Sequence, residues 1–410
     1  MAIVLVGNLT VDGGGEHFDA LDDHRIFSVA EGVTAELRAL TVSGGATHAE
    51  DDGGGAGIMN KGTLVVTDCT VSNNQAFNFG DGGGIFSFGS MMLTNSIIST
   101  NRAWVGGGIY TSGELTIANS VVSKNSGLDG IRNFGELTVT SSTVSENGAT
   151  GIRNSGDLTV TSSTVSRNTS PFCGAGISNG GFMSLTDSTV SSNTAIVPVF
   201  SDVGAAGGGV CNGGNATLTN TTVARNTALE CDLTQRYCGE GGGIVNGGTL
   251  TLSNSTISRN DAHFGGGIFN WRTLAMTNST VSGNSAEEEG SAIYYRGDIN
   301  ASVETALSAI DGECAKELET TAPWTSNGYN IESPGDTCGF EHDTDLINVS
   351  DLNLGPLADN GGPTETHALL PGSVAIDVIP EAACEVDVDQ RGVTRPQGPA
   401  CDVGAFELQQ

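Results

Sequence analysis

Hydrophobic residues recur along this chain at a fixed spacing that predicts short β-strands. Counted from the Ile or Val that ends each glycine-rich turn, apolar residues return at positions +6, +8 and +13, as in Ile131, Leu137, Val139 and Val144. The thirteen-residue interval occurs in nine repeats, whereas the return to the next turn varies from eight residues (Val144 to Ile152) to twenty-one (Val223 to Ile244). Every insertion therefore falls at one corner of a repeating unit.

A period of about 21 residues with alternating apolar positions predicts a β-solenoid. Each coil has three short strands, and coils stack about 4.8 Å apart with parallel pairing. The hand of parallel crossovers favours a right-handed parallel β-helix of the single-stranded type, with about 10–12 coils. We expect this domain to span residues 1–302 and a C-terminal cap to span residues 303–410.

Polar side chains recur at fixed positions in the repeat. The third residue after the +13 position is asparagine in all nine repeats: Asn74, Asn101, Asn125, Asn147, Asn168, Asn193, Asn226, Asn260 and Asn284. We expect their side-chain amides to form hydrogen bonds along the axis, and their backbone to tolerate the left-handed conformation of a tight corner. A second asparagine column follows the glycine turn, and an inward hydroxyl column lies at +11 with Cys69 in its first full coil. Since every coil has them, these columns are expected to be structural.

Charge limits the possible partners. The 410 residues have a formal net charge of −31, which argues against nucleic acid and against direct insertion into a membrane, and we expect a monomer. The first residues lack the pattern of a signal peptide, and Asn8–Gly15 already resembles a β-helix turn, so the chain is expected to begin inside a longer precursor.

Nine cysteines indicate an oxidising compartment. Local pairing predicts three disulfides: Cys231 to Cys238, Cys314 to Cys338, and Cys384 to Cys401. Cys173 to Cys211 is a weaker fourth, and Cys69 is then buried and free.

The segment after Ile293 loses the glycine triplets and gains prolines and cysteines. Together with the coils, it closely resembles the choice-of-anchor Q family of bacterial secreted and surface β-helix proteins, in Ser326–Ile331, Leu354–Thr364, His367–Ser373, Asp389–Val393, Arg395–Pro396 and Cys401–Glu407. This resemblance implies a secreted or cell-surface protein with no single activity, and a final segment that caps the last coil. We expect the export signal and the anchor of that family to lie outside this sequence.

One column of acidic residues offers candidate chemistry. Glu114, Glu136 and Asp157 occupy one position in three consecutive coils, and Arg132 and Arg153 stand four residues before the last two. One interpretation is a surface ladder of arginines and carboxylates. The other is a catalytic site for an acidic polysaccharide, in which the carboxylates hold Ca²⁺ and an arginine takes the α-proton, or two carboxylates serve as acid and base.

Aromatic residues cluster at the early and the late corners. Rings there either stack on sugar faces or cover a thin core, and the candidates for substrate binding are Trp104, Tyr110, Phe269 and Trp271. The histidines and cysteines lack the spacing of a zinc or redox centre, so Ca²⁺ is the one cofactor that the sequence suggests.

Three functions follow from these patterns. The first is a rigid stalk, adhesin or glycan-binding surface that contacts a polysaccharide or a cell-surface receptor. The second is a polysaccharide lyase or glycoside hydrolase acting in a groove along the β-helix. A third is ice binding by a flat threonine face, since T-x-T pairs recur, as in Thr138/Thr140 and Thr159/Thr161, although threonine is common on any strand surface.

Overall fold

The protein is almost entirely β-structure. The computed structural model describes residues 3–7, 9–19, 24–48, 54–196, 206–228, 239–297, 301–317 and 323–409. Within those ranges the only helical element is a 3-10 turn at Glu381–Ala383. No helix among these residues is long and apolar enough to cross a membrane.

The chain divides into two compact units. Unit 1 comprises Met1–Ser170 and Gly176–Met183, and unit 2 comprises Pro171–Ala175 and Ser184–Gln410. Both are parallel β-solenoids in which each coil contributes one strand to each of three sheets, and together they contain about 12 coils. The predicted fold class is therefore confirmed.

In unit 1 the glycine turn leads into the first sheet, and the second and third sheets follow around each coil. The first sheet consists of Ile3–Leu5, Phe27–Val29, Ile58–Asn60, Ile85–Ser87, Ile109–Thr111, Asp129–Asn133, Thr150–Asn154 and Ile177–Asn179. The second sheet consists of Leu9–Asp12, Thr34–Arg38, Thr63–Thr67, Ser90–Thr94, Glu114–Ala118, Glu136–Thr140 and Asp157–Thr161. The third sheet consists of His17–Asp19, Thr41–Ser43, Thr70–Ser72, Ile97–Ser99, Val121–Ser123, Thr143–Ser145 and Thr164–Ser166.

Unit 2 repeats the same three-sheet plan. Its first sheet consists of Val210–Asn212, Ile244–Asn246, Ile268–Asn270, Ile293–Tyr295 and Cys314–Lys316. Its second sheet consists of Asn215–Thr219, Thr249–Ser253, Thr273–Thr277, Ser302–Ala306 and Trp324–Ser326, and the strand Phe182–Thr186 is divided between the units. Its third sheet consists of Thr189–Ser191, Thr222–Ala224, Thr256–Ser258, Thr280–Ser282, Ala309–Asp311 and Ile331–Ser333. Coils thus continue to Ser333, beyond the predicted boundary at residue 302.

Short strands at the variable corner form small sheets of their own, apart from the three main sheets. They are Ala46–Thr47, Gln75–Ala76 and Thr169–Ser170 in unit 1, and Thr194–Ala195, Thr227–Ala228, Asp261–Phe264 and Ser285–Glu289 in unit 2. Leu354–Ala358 and Thr366–Leu369 form one antiparallel pair near the C-terminus.

The core consists of the apolar columns that the periodicity predicts. One coil contributes four side chains with no solvent-exposed area, namely Ile109, Leu115, Ile117 and Val122. Equivalent residues pair in register between neighbouring coils, as Leu115 does with Leu137. Each apolar side chain therefore packs against its counterparts above and below.

Buried asparagines connect the coils along the axis. The amide of Asn125 donates to the Oδ1 atom of Asn147 at 3.1 Å and to the carbonyl of Ile98 at 3.0 Å. Its own Oδ1 atom accepts from the backbone N–H and the amide of Asn101 at 3.0 and 3.1 Å. The second asparagine column forms the same axial bonds, as from Asn133 to Asn154 at 2.7 Å.

The residues with left-handed backbone conformation are not the ladder asparagines that the sequence suggested. Positive φ occurs at the residue before the ladder asparagine, as in Lys124 (φ 57°) and Glu146 (φ 56°), and the ladder asparagines themselves do not adopt it. This difference has a simple cause, since the turn at the preceding residue directs the amide inward, where it bonds along the axis.

The hydroxyl column at +11 points inward as predicted. Ser142 accepts a hydrogen bond from the backbone N–H of Ser120 at 3.0 Å and donates to the carbonyl of Thr140 at 2.7 Å. Cys69 occupies this column and is buried and free, and its backbone N–H donates to Ser96 at 3.0 Å.

Three disulfides of unit 2 match the predicted pairs. They are Cys173–Cys211, Cys314–Cys338 and Cys384–Cys401. Cys231 and Cys238 lie outside the described residues. The disulfide Cys314–Cys338 joins the last coil to the segment that follows it, and Cys384–Cys401 closes a loop within that segment.

The C-terminal segment covers more than the last coil. Leu346 adds a parallel bridge to Ile331 at the end of the third sheet. The chain then returns along the outer face of that sheet, where Glu365 binds Arg225 at 2.5 and 3.0 Å and Gln390 accepts from Thr256 at 2.6 Å. The cap that the sequence predicts is thus also a lateral cover.

The C-terminal motif residues hold this cover in place. Arg395 donates to the carbonyls of Asp402 and Gly404 at 2.6 and 2.5 Å. Arg391 pairs with Asp389 at 2.7 Å and lies 3.5 Å from the centre of the Phe406 ring. The polar groups of the motif are therefore used in packing.

We expect Leu158→Asn to lower the free energy of unfolding by about 4 kcal/mol, because it removes a core side chain and buries an unpaired amide. Thr159→Asn is the matched control, since Thr159 is exposed on the same strand, and it should change stability by less than about 0.5 kcal/mol. Urea unfolding measures both, and equal losses would contradict the stacking of the core columns.

We expect reduction of the disulfides to loosen the C-terminal segment before the coils. The loops closed by Cys314–Cys338 and Cys384–Cys401 span 24 and 17 residues, and each closure contributes about 3 kcal/mol in the chain-entropy estimate. Limited proteolysis with and without reductant should show new cleavage beyond Cys314. Early cleavage between Ile109 and Val165 would refute this order, and Cys69→Ser should leave the response unchanged.

Candidate functional site

In unit 1, one row of outward side chains runs along the first sheet. The residue that follows the buried isoleucine of each strand points away from the core, and neighbouring coils pair Phe86 with Tyr110, Tyr110 with Arg132, and Arg132 with Arg153. Successive members stand about 4.8 Å apart. We call these four residues the outer row, and its character changes from aromatic to basic over four coils.

Aromatic rings contact one another at the start of the outer row. The ring centroid of Phe86 lies 4.5 Å from that of Tyr110 and 4.6 Å from that of Phe88, and Tyr110 lies 5.6 Å from Phe134. Phe88 and Phe134 are about half exposed, whereas Phe86 is buried. The inner rings therefore support two rings that face solvent.

A single buried carboxylate orients both arginines of the row. Asp129 has no exposed side-chain area, and its two oxygens accept from the Nε atoms of Arg132 and Arg153, each at 2.7 Å. Burial of this carboxylate is favourable only because it is paired on both oxygens. We call Asp129, Arg132 and Arg153 the arginine pair site, and its formal net charge is +1.

Arg132 keeps donors available for a ligand. In the part of the chain that the structure describes, its only hydrogen bond runs from Nε to Asp129, and its Nη groups have no hydrogen-bond partner. The guanidinium carbon lies 5.7 Å from the centre of the Phe134 ring. A planar fork of donors beside an exposed ring suits a carboxylate attached to a sugar.

A second carboxylate lies near the outer row. Burial raises the pKa of Asp81, with Arg132 opposing the rise and Asp129 adding to it. Burial also raises the pKa of Tyr110, and the charge of Asp81 adds to this rise while Arg132 opposes it. Asp81 and Tyr110 therefore belong to the electrostatic surroundings of the arginine pair site.

The acidic column of the second sheet is aligned but stands apart from the arginines. Glu114 pairs in register with Glu136, and Glu136 with Asp157, and all three side chains are exposed. The sequence suggested that Arg132 and Arg153 pair with the acidic column. This pairing is wrong, because both guanidinium groups bind Asp129. Among the described residues, no group of three or more His, Cys, Asp or Glu side chains could hold a metal ion.

The four aromatic candidates fall into two environments. In unit 1, Trp104 is half exposed and meets Phe79 edge-on at 5.1 Å, and Tyr110 belongs to the outer row. In unit 2, Phe269 is buried, 5.4 Å from Trp271, and Arg296 lies 4.6 Å from the centre of the Trp271 ring. Phe269 thus covers core, as one of the two interpretations predicted.

Unit 2 contains a buried acid that sequence reasoning missed. Burial raises the pKa of Glu240 to about 7, while Arg296 and a hydrogen bond from Trp271 oppose the rise and Glu317 adds to it. Arg296 and Glu317 themselves pair at 2.6 Å. Glu240 thus lies under a cover of aromatic and charged side chains.

Sequence signals for the missed residues exist but are faint. Asp129 stands two residues before a core isoleucine, where other coils of unit 1 have Gly83 or Gly107. Asp81 and Glu240 each directly precede a glycine triplet. Each of these three residues is an acidic residue at a position where other repeats have a small or apolar residue.

The comparisons with known proteins support the fold. The chain is similar to the solved structure titled "Crystal structure of pectate lyase Pel9A", with a TM-score of 0.50, 14% sequence identity, and coverage of 85% of this chain and 88% of that one. No family model and no curated protein matches the sequence. The likeness is thus one of fold, that of a pectate-lyase-like parallel β-helix.

We expect Glu240→Gln to change how stability depends on pH. Because the pKa of Glu240 is about 7 in the folded protein and 4.5 as an unperturbed group, the folded state binds the extra proton between these values. Stability therefore falls as pH rises from about 4.5 to 7, by about 3 kcal/mol.

Glu240→Gln should not lose stability as the pH rises. The difference in the free energy of unfolding between this variant and the wild type, measured by urea unfolding, should therefore grow from about pH 4.5 to pH 7. Glu289→Gln, at an exposed glutamate of the same unit, is the control. A constant difference between pH 4.5 and 8 for Glu240→Gln would show that the acid is not shifted.

Proposed function

We propose that this protein is an extracellular or cell-surface β-helix protein that binds an acidic polysaccharide along the outer row of unit 1. The observation that carries this proposal is the arginine pair site, in which buried Asp129 orients two guanidinium groups and that of Arg132 lies beside the exposed Phe134 ring. Rings stack on sugar faces, and the arginine fork recognises the carboxylate of a uronate.

The location outside the cell is inferred from three observations. Three disulfides occur in unit 2, and such bonds persist in oxidising compartments. The fold is shared with a solved pectate lyase structure, and the resemblance of the C-terminal segment to the choice-of-anchor Q family implies display at a surface. A rigid solenoid in that setting acts as a stalk that presents its binding face.

The net charge of −31 does not prevent binding of an acidic chain. Charges further than about 8 Å from the ligand are screened at physiological ionic strength. The ligand carboxylate instead meets the local charge of the arginine pair site, which is +1. Binding should therefore weaken at low salt, where repulsion by the rest of the protein extends further.

We expect Arg132→Gln to weaken binding of polygalacturonate at least 10-fold, because a charge-assisted hydrogen bond contributes about 1.5–3 kcal/mol. Arg167→Gln is the matched control, since Arg167 is an exposed arginine of unit 1 with one long contact to Glu146 at 3.6 Å. Isothermal titration calorimetry with polygalacturonate and with neutral dextran measures the effect and its dependence on ligand charge.

Phe134→Ala should weaken binding of the same polymer, and Phe182→Ala, at an exposed ring on the second sheet, should not. If polygalacturonate fails to bind, or if Arg167→Gln and Arg132→Gln have equal effects, the proposal fails.

A second candidate function is cleavage of the same acidic polysaccharide by a lyase or hydrolase. The observation that favours it is the pairing of Tyr110 with Arg132 on neighbouring strands, where burial raises the pKa of Tyr110 and the charge of Arg132 opposes the rise. A phenol beside a guanidinium is a candidate for proton transfer with a bound chain. Incubation with acidic and neutral glycans, with and without Ca²⁺, tests it. Unsaturated or reducing ends that disappear in Tyr110→Phe would support an enzyme, and intact polymer would exclude one for those glycans.

A further inference from the structure

A cavity of about 320 Å³ lies beside the last strands of unit 2. Its lining residues are Trp324, Thr325, Ser326, Gly339, Glu341 and His342. We propose that this cavity binds a single neutral sugar ring. All of its lining residues belong to unit 2, so binding there is independent of the function proposed for the outer row of unit 1.

Both walls of the cavity are held by the fold. The first wall is the strand Trp324–Ser326, which pairs in parallel with Ser302–Ala306. The second wall begins at the Cys314–Cys338 disulfide, where buried Glu332 accepts from the hydroxyl of Thr337 at 2.7 Å. Gly339 then turns the chain in a left-handed conformation (φ 68°) that favours glycine.

Trp324 supplies an apolar surface to the first wall. Its two ring neighbours, Tyr295 and Phe340, meet it nearly edge-on, at interplanar angles of 89° and 72°. Neither neighbour is stacked on its face. An indole ring without a parallel-stacked neighbour is a common platform for the C–H groups of a sugar.

Some polar groups near the cavity are already used by the protein. Asp345 accepts from the hydroxyl of Ser326 at 2.5 Å, from the backbone N–H of Asn330 at 2.8 Å and from that of His342 at 3.1 Å. Asp345 and Ser326 therefore fix the two walls to each other and are not counted as ligand-binding groups.

Three other groups remain for a ligand. Within the described parts of the chain, Glu341 and Thr325 have exposed side chains without a hydrogen-bond partner. The Nδ1 atom of His342 accepts from the backbone N–H of Thr344 at 3.3 Å, so the neutral ring carries its hydrogen on Nε2. The cavity thus offers a carboxylate acceptor, an N–H donor and a hydroxyl beside an aromatic face.

This combination selects a neutral sugar. A carboxylate accepts from two neighbouring hydroxyls, whereas it repels the carboxylate of a uronate. The volume equals roughly ten waters at about 30 Å³ each, which suits one hexose ring with its hydroxyls. The ligand class is therefore a neutral hexose at the end or on a branch of a glycan.

The test uses the full chain and methyl glycosides of glucose, galactose and mannose, followed by saturation-transfer NMR and titration. A methyl hexoside, with about thirteen heavy atoms, should bind with a dissociation constant of the order of 1 mM. Glu341→Gln should weaken binding at least 10-fold, Thr325→Ala should weaken it less, and Trp324→Ala should abolish it. Trp104→Ala, at an exposed tryptophan of unit 1, should leave binding unchanged.

Three outcomes would overturn the proposal. They are an absence of saturable binding for all three glycosides, unchanged affinity in Glu341→Gln, and stronger binding of methyl glucuronide than of the neutral sugars. Glu341→Gln should leave polygalacturonate binding at the outer row intact, and Arg132→Gln should leave hexose binding intact. Failure at one site is thereby distinguished from failure at the other.

Discussion

Amide side chains buried inside the coils and bonded along the axis determine the register of each unit. An asparagine such as Asn125 bonds to the asparagine above, to the asparagine below and to a backbone carbonyl. A slip of one residue would leave these polar groups unpaired in the core, which costs about 1–3 kcal/mol for each group. The columns of apolar side chains alone would tolerate such errors more easily, because dispersion contacts are not directional.

The fixed register brings residues from different coils together on one surface. Outward residues at one position of the repeat necessarily form a row, so substitutions in four coils suffice to place Phe86, Tyr110, Arg132 and Arg153 in line. One inward substitution, Asp129, then orients two members of that row. The scaffold remains unchanged while the surface acquires aromatic and cationic character.

The fold could be predicted from the sequence because its determinants repeat. Leu115, Leu137 and Leu158 occupy one position in three coils, and each is buried where the pattern places it. The partner of Arg132 could not be predicted in the same way, since Asp129 occurs once and lies at a corner where coil length varies. Sequence spacing suggested Asp157 for Arg153, but the strand geometry directs that guanidinium to Asp129 in the preceding coil.

The C-terminal segment has a consequence for how unit 2 folds. Coils of a solenoid contact their neighbours, so they add one at a time with short loop closures. The contacts of Glu365 with Arg225 and of Gln390 with Thr222 instead join residues 140 and 168 positions apart. High sequence separation slows the formation of contacts. Lateral docking is therefore a late event in folding, and it couples coils that would otherwise unfold independently into one cooperative block.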